Sequence, residues 1–201
     1  MRRQSGEGIV YSAVDVKKWA EEVPDVEAVR PGCCSLCGAP SRPLGAALVV
    51  VGHGLRMRQV RGPATPGGVP EIRMLRVRRY RCRLCGGLTT VLPRGLTARR
   101  HYSASAIGLA LCLYGMQRLS LGETRRRVCA WRFGFDPERW TTLPTWLAAI
   151  EQGRLFVQVR PCPPTFTGRE RAERAAATLC GLALSAGTLD EQVFEGAARA
   201  A

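Results

Sequence analysis

The chain has 201 residues, 30 basic and 16 acidic side chains, a formal net charge of +14 and a hydrophobic share of 46%. That length allows one or two domains, and that hydrophobic share excludes wholesale disorder. The longest apolar run, Ala104–Met116, falls short of the roughly 20 residues of a membrane span, and no apolar stretch follows Arg2 and Arg3 to make a secretory signal.

A cytoplasmic, reducing setting without membrane contact is therefore expected for the nine cysteines, whose odd number argues against a pure disulfide framework. The charge is uneven: residues 1–40 carry a net −1, residues 41–139 a net +15, and residues 140–201 a net of zero. A field concentrated in the middle of the chain suits a polyanionic partner, nucleic acid before membrane. A GC-rich coding bias would explain arginine over lysine, but not the shortage of acids between 41 and 139.

In chain order, residues 11–23 read as a short amphipathic helix limited by Pro24, and residues 31–40 as a turn-rich knuckle. Leu48–Val51 and Leu55–Arg61 read as two strands with Gly52-His53-Gly54 as the turn between them. Residues 62–70 are a Gly/Pro loop, Glu71–Tyr80 alternates as a strand, and a second knuckle at 80–87 leads to a return strand, Leu88–Leu92. Ser103–Met116 is apolar almost all round, as in a buried helix. Ser120-Leu-Gly-Glu123 is a capping box opening a helix to about residue 128, and Thr142 caps a third helix to about Glu151. Pro161, Pro163 and Pro164 mark a linker, Gly168–Leu184 a terminal helix with Arg169/Glu173 and Glu170/Arg174 at i,i+4 spacing, and the last dozen residues a frayed tail.

The chemistry concentrates in Cys34-Ser-Leu-Cys37-Gly38 and Cys82-Arg-Leu-Cys85-Gly86. Two residues between thiolates let both sulfurs face one tetrahedral ion, and the glycine after each pair permits the positive φ that turns backbone amides toward sulfur. One structural Zn²⁺ on Cys34, Cys37, Cys82 and Cys85 is the expected cofactor, with unliganded buried thiols or iron as alternatives, and Cys33 as a substitute ligand for Cys34. Four thiolates close the coordination shell, leave no open position for catalysis, and carry a net −2 that Arg81 and Arg83 can offset. Cys112, Cys129, Cys162 and Cys180 stand singly, as small core residues do. His53 and His101 suit a turn or a phosphate contact better than a general base. No Gly-rich phosphate loop with a following lysine, Ser/His/Asp set or paired carboxylates is present, and the chain is not expected to be an enzyme.

The helices at 103–116, 120–129 and 142–151 form a trihelical unit. Arg125, Arg126 and Arg127 lie on the second, and Trp131, Arg132, Phe133, Phe135, Arg139 and Trp140 in the following connection. Here the third helix is expected in a DNA major groove, with arginines on phosphates, the alternative being a small helical domain with a solvated basic face. The first knuckle, the string RVRRYRCRLCGGLTTVLPRGLTARRHYS at 76–103, the apolar helix after it and WTTLPTWL at 140–147 together resemble the zinc-ribbon plus helix-turn-helix front end of bacterial insertion-sequence transposases. More narrowly, they resemble a family of short transposase-like bacterial proteins; the resemblance covers residues 12–156.

The elements in chain order predict an α+β fold: an N-terminal helix and lead-in (1–30), a zinc-ribbon-like β unit (31–93), a helix-turn-helix-like unit (94–156), and a linker with a C-terminal helix and tail (157–201). The resemblance implies DNA handling without recombination, since the chain has four aspartates and too little sequence after the third helix for a catalytic domain with three acidic metal ligands. Duplex DNA is the expected partner, in a nucleoid-associated setting. It would be met by Arg76, Arg78, Arg79 and Arg81 with Arg73 and Arg83 as one basic surface, by Arg99 and Arg100, by Arg125, Arg126, Arg127 and Arg132, and by Thr142 and Thr145. An RNA-binding zinc-ribbon module, with Tyr80, Tyr102 and Trp131 stacking on bases, and a protein-interaction adaptor are the alternatives.

Overall fold

A computed structural model describes residues 7–131 and 140–201. Arg132, and with it Phe133, Phe135 and Arg139, lies outside the described residues. The chain is α+β. Its elements are β1 (Glu7–Asp15), α1 (Val16–Glu21), β2 (Val50–Gly62), β3 (Glu71–Cys82), β4 (Leu88–Arg94), α2 (Ala104–Leu111, continued by a π-helical turn over Cys112–Met116), α3 (Leu121–Val128), α4 (Thr142–Glu151), α5 (Gly168–Cys180) and α6 (Leu189–Ala200). No helix among the described residues is long and apolar enough to cross a membrane.

By internal contacts the chain divides into two units, one holding the residues up to Arg58 together with Met74–Arg94, the other holding Gln59–Arg73 together with Gly95–Ala201. The strands form a four-stranded sheet in the order β1-β4-β3-β2, with β1 parallel and β3 antiparallel to β4.

In the first unit, the helix expected over 11–23 begins only at Val16, because Glu7–Asp15 is a strand. Ile9, Val10, Tyr11 and Val14 are β-branched or aromatic, and pairing with β4 outweighs the helical spacing. Asp15 ends the strand and caps α1, its side chain accepting from Lys17 N at 2.8 Å. Trp19 is fully buried, and its indole N–H donates to Arg76 O at 2.8 Å. Gly52-His53-Gly54 is not a turn: β2 runs through it, with Gly54 at φ +82° making a local left-handed step in an edge strand. The return strand expected to stop at Leu92 likewise runs on through Pro93 to Arg94 as β4.

Register sorts the side chains of this sheet. Ile9, Thr90 and Arg79 form one row, and Glu7, Leu88 and Arg81 the next, on one face. Val10, Val91 and Arg78, and then Gly8, Thr89 and Tyr80, form rows on the other. The second face takes the lead-in and first knuckle. Tyr80 Oη donates to Val26 O at 2.7 Å, Arg78 Nε to Pro24 O at 2.7 Å, and Ser35 Oγ lies 2.7 Å from Thr89 Oγ1. Arg30, nearly buried, sits 5.6 Å from the Tyr80 ring centroid and donates to Val50 O.

In the second unit, one hydrophobic core gathers residues from α2, α4, α5 and α6. Every described residue of α2 is buried, as its all-round apolar sequence requires. Tyr102, Trp146 and Trp140 stack edge to face, with centroids 4.9 and 5.5 Å apart along the series.

Two expectations change here. Thr142 lies inside α4; the N-cap position belongs to Thr141, whose side chain makes no capping bond. The last dozen residues are not a frayed tail but α6, opened by a capping box of Thr188 and Glu191 and burying Val193, Phe194 and Ala197. The apolar stripe of α6 supplies surface that α2 must cover. Neither i,i+4 pair on α5 is an ion pair of the fold. Arg169 donates to Tyr114 O and Leu119 O at 2.6 and 3.2 Å, Glu173 accepts from Arg118 at 2.7 Å, and Glu170 closes the capping box with Thr167.

Candidate metal centre and basic surfaces

The two cysteine knuckles share two backbone hydrogen bonds and differ in which sulfur accepts an amide. In the first, Cys34 N donates to Ala39 O at 2.8 Å, Gly38 N to Cys34 O at 2.9 Å, and Leu36 N to Cys34 Sγ at 3.4 Å. In the second, Cys82 N donates to Gly87 O at 2.9 Å, Gly86 N to Cys82 O at 2.9 Å, and Gly87 N to Cys85 Sγ at 3.4 Å. Gly38 and Gly86 take φ +72° and +74°, the left-handed conformation expected from their place after each pair.

The knuckles face one another. Cys34 Sγ is 3.7 Å from Cys85 Sγ and Cys37 Sγ is 3.8 Å from Cys82 Sγ, and all four sulfurs lie within 4.8 Å of each other. A disulfide would need about 2.05 Å, whereas a tetrahedral ion with metal–sulfur bonds of about 2.3 Å holds its ligands about 3.8 Å apart. The donor set therefore fits one metal ion. Cys33, next in sequence, is exposed and lies outside this group of four.

The clustered thiols perturb one another's protonation. Desolvation pushes Cys34 up, but the amides of Cys37 and Leu36 and the neighbouring thiols outweigh it and bring it down to about 7. The amide of Ala39 pulls Cys37 down, yet burial and the three surrounding thiols raise it to about 12. One thiolate forms readily, and its charge opposes the next ones.

The spacer between the knuckles, Gly38 to Arg81, contains β2 and β3, which run out and back, so its length does not separate the two pairs. Gly87 decides how closely they meet: a Cβ there would lie 2.3 Å from Leu36 Cδ1 and 3.2 Å from Cys85 Sγ.

The six arginines of Arg73–Arg83 do not make the single surface expected of them. Successive strand residues point to opposite faces, so Arg79 and Arg81 share a face with Glu7 and Ile9, while Arg78 lies on the face of Tyr80 beneath the lead-in. Arg76 is exposed and lines an open groove of about 590 Å³ with Arg78, Trp19, Leu55, Met57 and Met74. Arg79 and Arg81 gain neighbours that the sequence reading left out. Arg56 of β2 donates to both Glu7 carboxylate oxygens at 2.7 and 2.9 Å, and Thr90 donates to Glu7 at 2.7 Å. The Thr90 hydroxyl, then Arg56, hold the Glu7 carboxyl below its usual range, with Arg79 adding to the pull. Arg58 is half-buried beside Tyr11: burial lowers its pKa, and Tyr11 partly opposes this. The i,i+2 spacing of Arg56 and Arg58, and of Glu7, Ile9 and Tyr11, is the sequence signal for this face.

In the second unit, Arg99 is exposed at φ +59°, Arg100 is partly buried with Nη1 3.5 Å from Ala98 O, and Arg126 and Arg127 are exposed on α3. Arg125 is different: it is 9% exposed and belongs to the interior side of α3 with Thr124 and Val128. Thr145 is exposed with Oγ1 donating to Thr141 O at 2.9 Å, and Thr142 is partly buried. Of the aromatics expected to stack on bases, Tyr80 and Tyr102 are buried, and Trp131 is half-exposed with Arg61 5.4 Å from its ring centroid. Compared with family models, with curated proteins and with solved structures, the chain matches none.

Proposed function

We propose that this chain is a non-catalytic, zinc-stabilised DNA-binding protein of the kind its transposase-like segments suggest. Zinc is the ion of choice for four thiolates in a reducing compartment, and a closed four-thiolate shell serves structure rather than catalysis. The ion would tie Cys34 and Cys37 to Cys82 and Cys85 and so fix the knuckles across the sheet.

The observation that carries the DNA reading is the imbalance on α3. Arg126 and Arg127 are exposed on it, while its one carboxylate, Glu123, is committed to the capping box with Ser120. Arg99 and Arg100 add cations in the same unit. Such a surface neutralises phosphates, and α4, with Thr142 and Thr145 in its first turn, is the candidate reading helix.

The test is selection of bound fragments from a random duplex DNA pool by the zinc-loaded protein at physiological salt. An enriched motif is the expected result. Retention without a motif leaves backbone binding only. Loss of all retention at that salt overturns the DNA reading and favours a protein-interaction adaptor.

A further inference from the structure

We infer that the sheet face carrying Tyr11 is a second nucleic-acid site, one that takes unpaired bases of a single strand. This inference does not rest on the duplex reading of α3 and α4, which lie in the other unit; it takes Arg79 and Arg81, expected from the sequence to meet a duplex, for a single strand instead.

The face is assembled by register. Glu7, Ile9 and Tyr11 of β1 stand beside Leu88, Thr90 and Leu92 of β4, with Arg79 and Arg81 of β3 beside Thr90 and Leu88. Arg56 reaches the same face through Glu7, and Arg58, two residues further along β2, shares that side of the strand. Leu92 is fully buried, so the open part is the stretch with Glu7, Arg56, Arg81 and Tyr11, all exposed, and Ile9 and Arg79, partly so. Four guanidinium groups thus meet one carboxylate.

Three features select the ligand. First, Tyr11 is 47% exposed on edge strand β1, at the last paired position before a register shift, and its partner Leu92 is fully buried. An aromatic ring left half-open among arginines is a stacking surface; a duplex keeps its base faces inside the stack, so only unpaired bases can use it. Second, Glu7 is already engaged by Arg56 and Thr90, which leaves the positive charge of Arg79 and Arg81 for an incoming anion. Third, Arg79 is partly exposed and makes no hydrogen bond to a carboxylate among the described residues, so the open part of its guanidinium can meet a phosphate oxygen. The opposite face cannot do this, because its aromatic, Tyr80, is fully buried under the lead-in.

The experiment measures affinity for a short fluorescein-labelled oligothymidylate and for a mixed-sequence duplex, using the full zinc-loaded chain. Tyr11→Phe keeps the ring and should bind the single strand as the parent does. Tyr11→Leu keeps apolar bulk without a π-face and should weaken single-strand binding by about 5- to 150-fold while leaving duplex binding in place. Arg79→Gln should lower the log–log salt slope for the single strand by about 0.7. Zinc content and far-ultraviolet circular dichroism confirm that each variant is folded. Ultraviolet cross-linking of the oligothymidylate to the peptide holding Tyr11 gives a readout that needs no substitution.

Equal loss on both ligands with Tyr11→Leu, no loss on either, or no cross-link at that peptide would overturn the site. Failure of duplex binding alone, with single-strand binding still dependent on Tyr11, would remove the duplex reading and leave this one standing.

Discussion

Leu36 of the first knuckle rests directly over Gly87 of the second, so close that an added Cβ at Gly87 would lie 2.3 Å from Leu36 Cδ1. The same Cβ would crowd Cys85 Sγ at 3.2 Å. The contact makes an apolar latch beside the four sulfurs. Gly87→Ala should therefore cost about 1–3 kcal/mol through overpacking and speed the loss of metal to a chelator. Leu36→Ala in the same chain should restore much of the loss, because it empties the space the new methyl needs. A double-mutant cycle by denaturant unfolding, with metal content measured in parallel, checks this; strict additivity would show that the latch does not exist.

Acid should weaken the helical unit through its caps. Glu123, Glu170 and Glu191 each sit below the ordinary value of 4.5, chiefly because the backbone N–H of Ser120, Thr167 or Thr188 donates to the carboxylate. A carboxyl whose folded pKa is depressed contributes stability that is fully present above 4.5 and is lost as pH falls through its folded value. Glu191→Gln keeps an acceptor without a titrating proton and should flatten part of the acid limb. Thr188→Ala should cost about 1 kcal/mol at neutral pH. Thermal melts across the acid range separate the two effects.

The close approach of α2 to α6 gives a third expectation. A Cβ on Gly108 would lie 2.5 Å from Ala197 Cβ and 3.1 Å from Val193 O, and backbone cannot step aside as a side-chain tip can. Gly108→Ala should destabilise by about 1–3 kcal/mol. Gly181→Ala is the control: at φ −64° its nearest neighbours would be 3.5 and 3.8 Å away, so the change should be neutral or stabilise by about 0.4–1 kcal/mol. A lowered melting temperature for the first and not the second would establish α6 as part of the core. Equal melting temperatures would argue that α6 is a detachable tail.

The three adjacent arginines of α3 should behave differently from one another. Arg126→Ala and Arg127→Ala remove exposed cations, and each that contacts a phosphate should lower the duplex salt slope by about 0.9. Arg125→Ala removes a buried side chain and should lower the melting temperature instead. Salt titrations of DNA binding beside thermal melts make the distinction. A reduced slope with an unchanged melting temperature for Arg125→Ala would reverse the assignment.

Features tied to local chemistry were legible from sequence. The spacing of Cys34/Cys37 and Cys82/Cys85, the glycines after each pair, the Ser120–Glu123 capping box and the all-apolar α2 depend on residues within one or two turns of the chain, and the fold keeps each of them. The helix expected over 11–23 failed because a strand at Glu7–Asp15 is decided by a partner far along the chain, at Leu88–Arg94. The fate of the last dozen residues depended in the same way on α2, which supplies the surface α6 covers.

The sequence by itself determined the charge, the four cysteines that could hold a metal ion and the α+β class, because composition and short spacings act locally. Only the tertiary structure decided which arginines share a surface. Strand parity turns Arg79 and Arg78 to opposite faces, register brings Tyr11 and Arg56 to the face of Arg79, and packing withdraws Arg125 from solvent. Side chains adjacent in sequence are separated by the pleat of a strand and the turn of a helix, and only pairing and burial determine which of them meet a ligand.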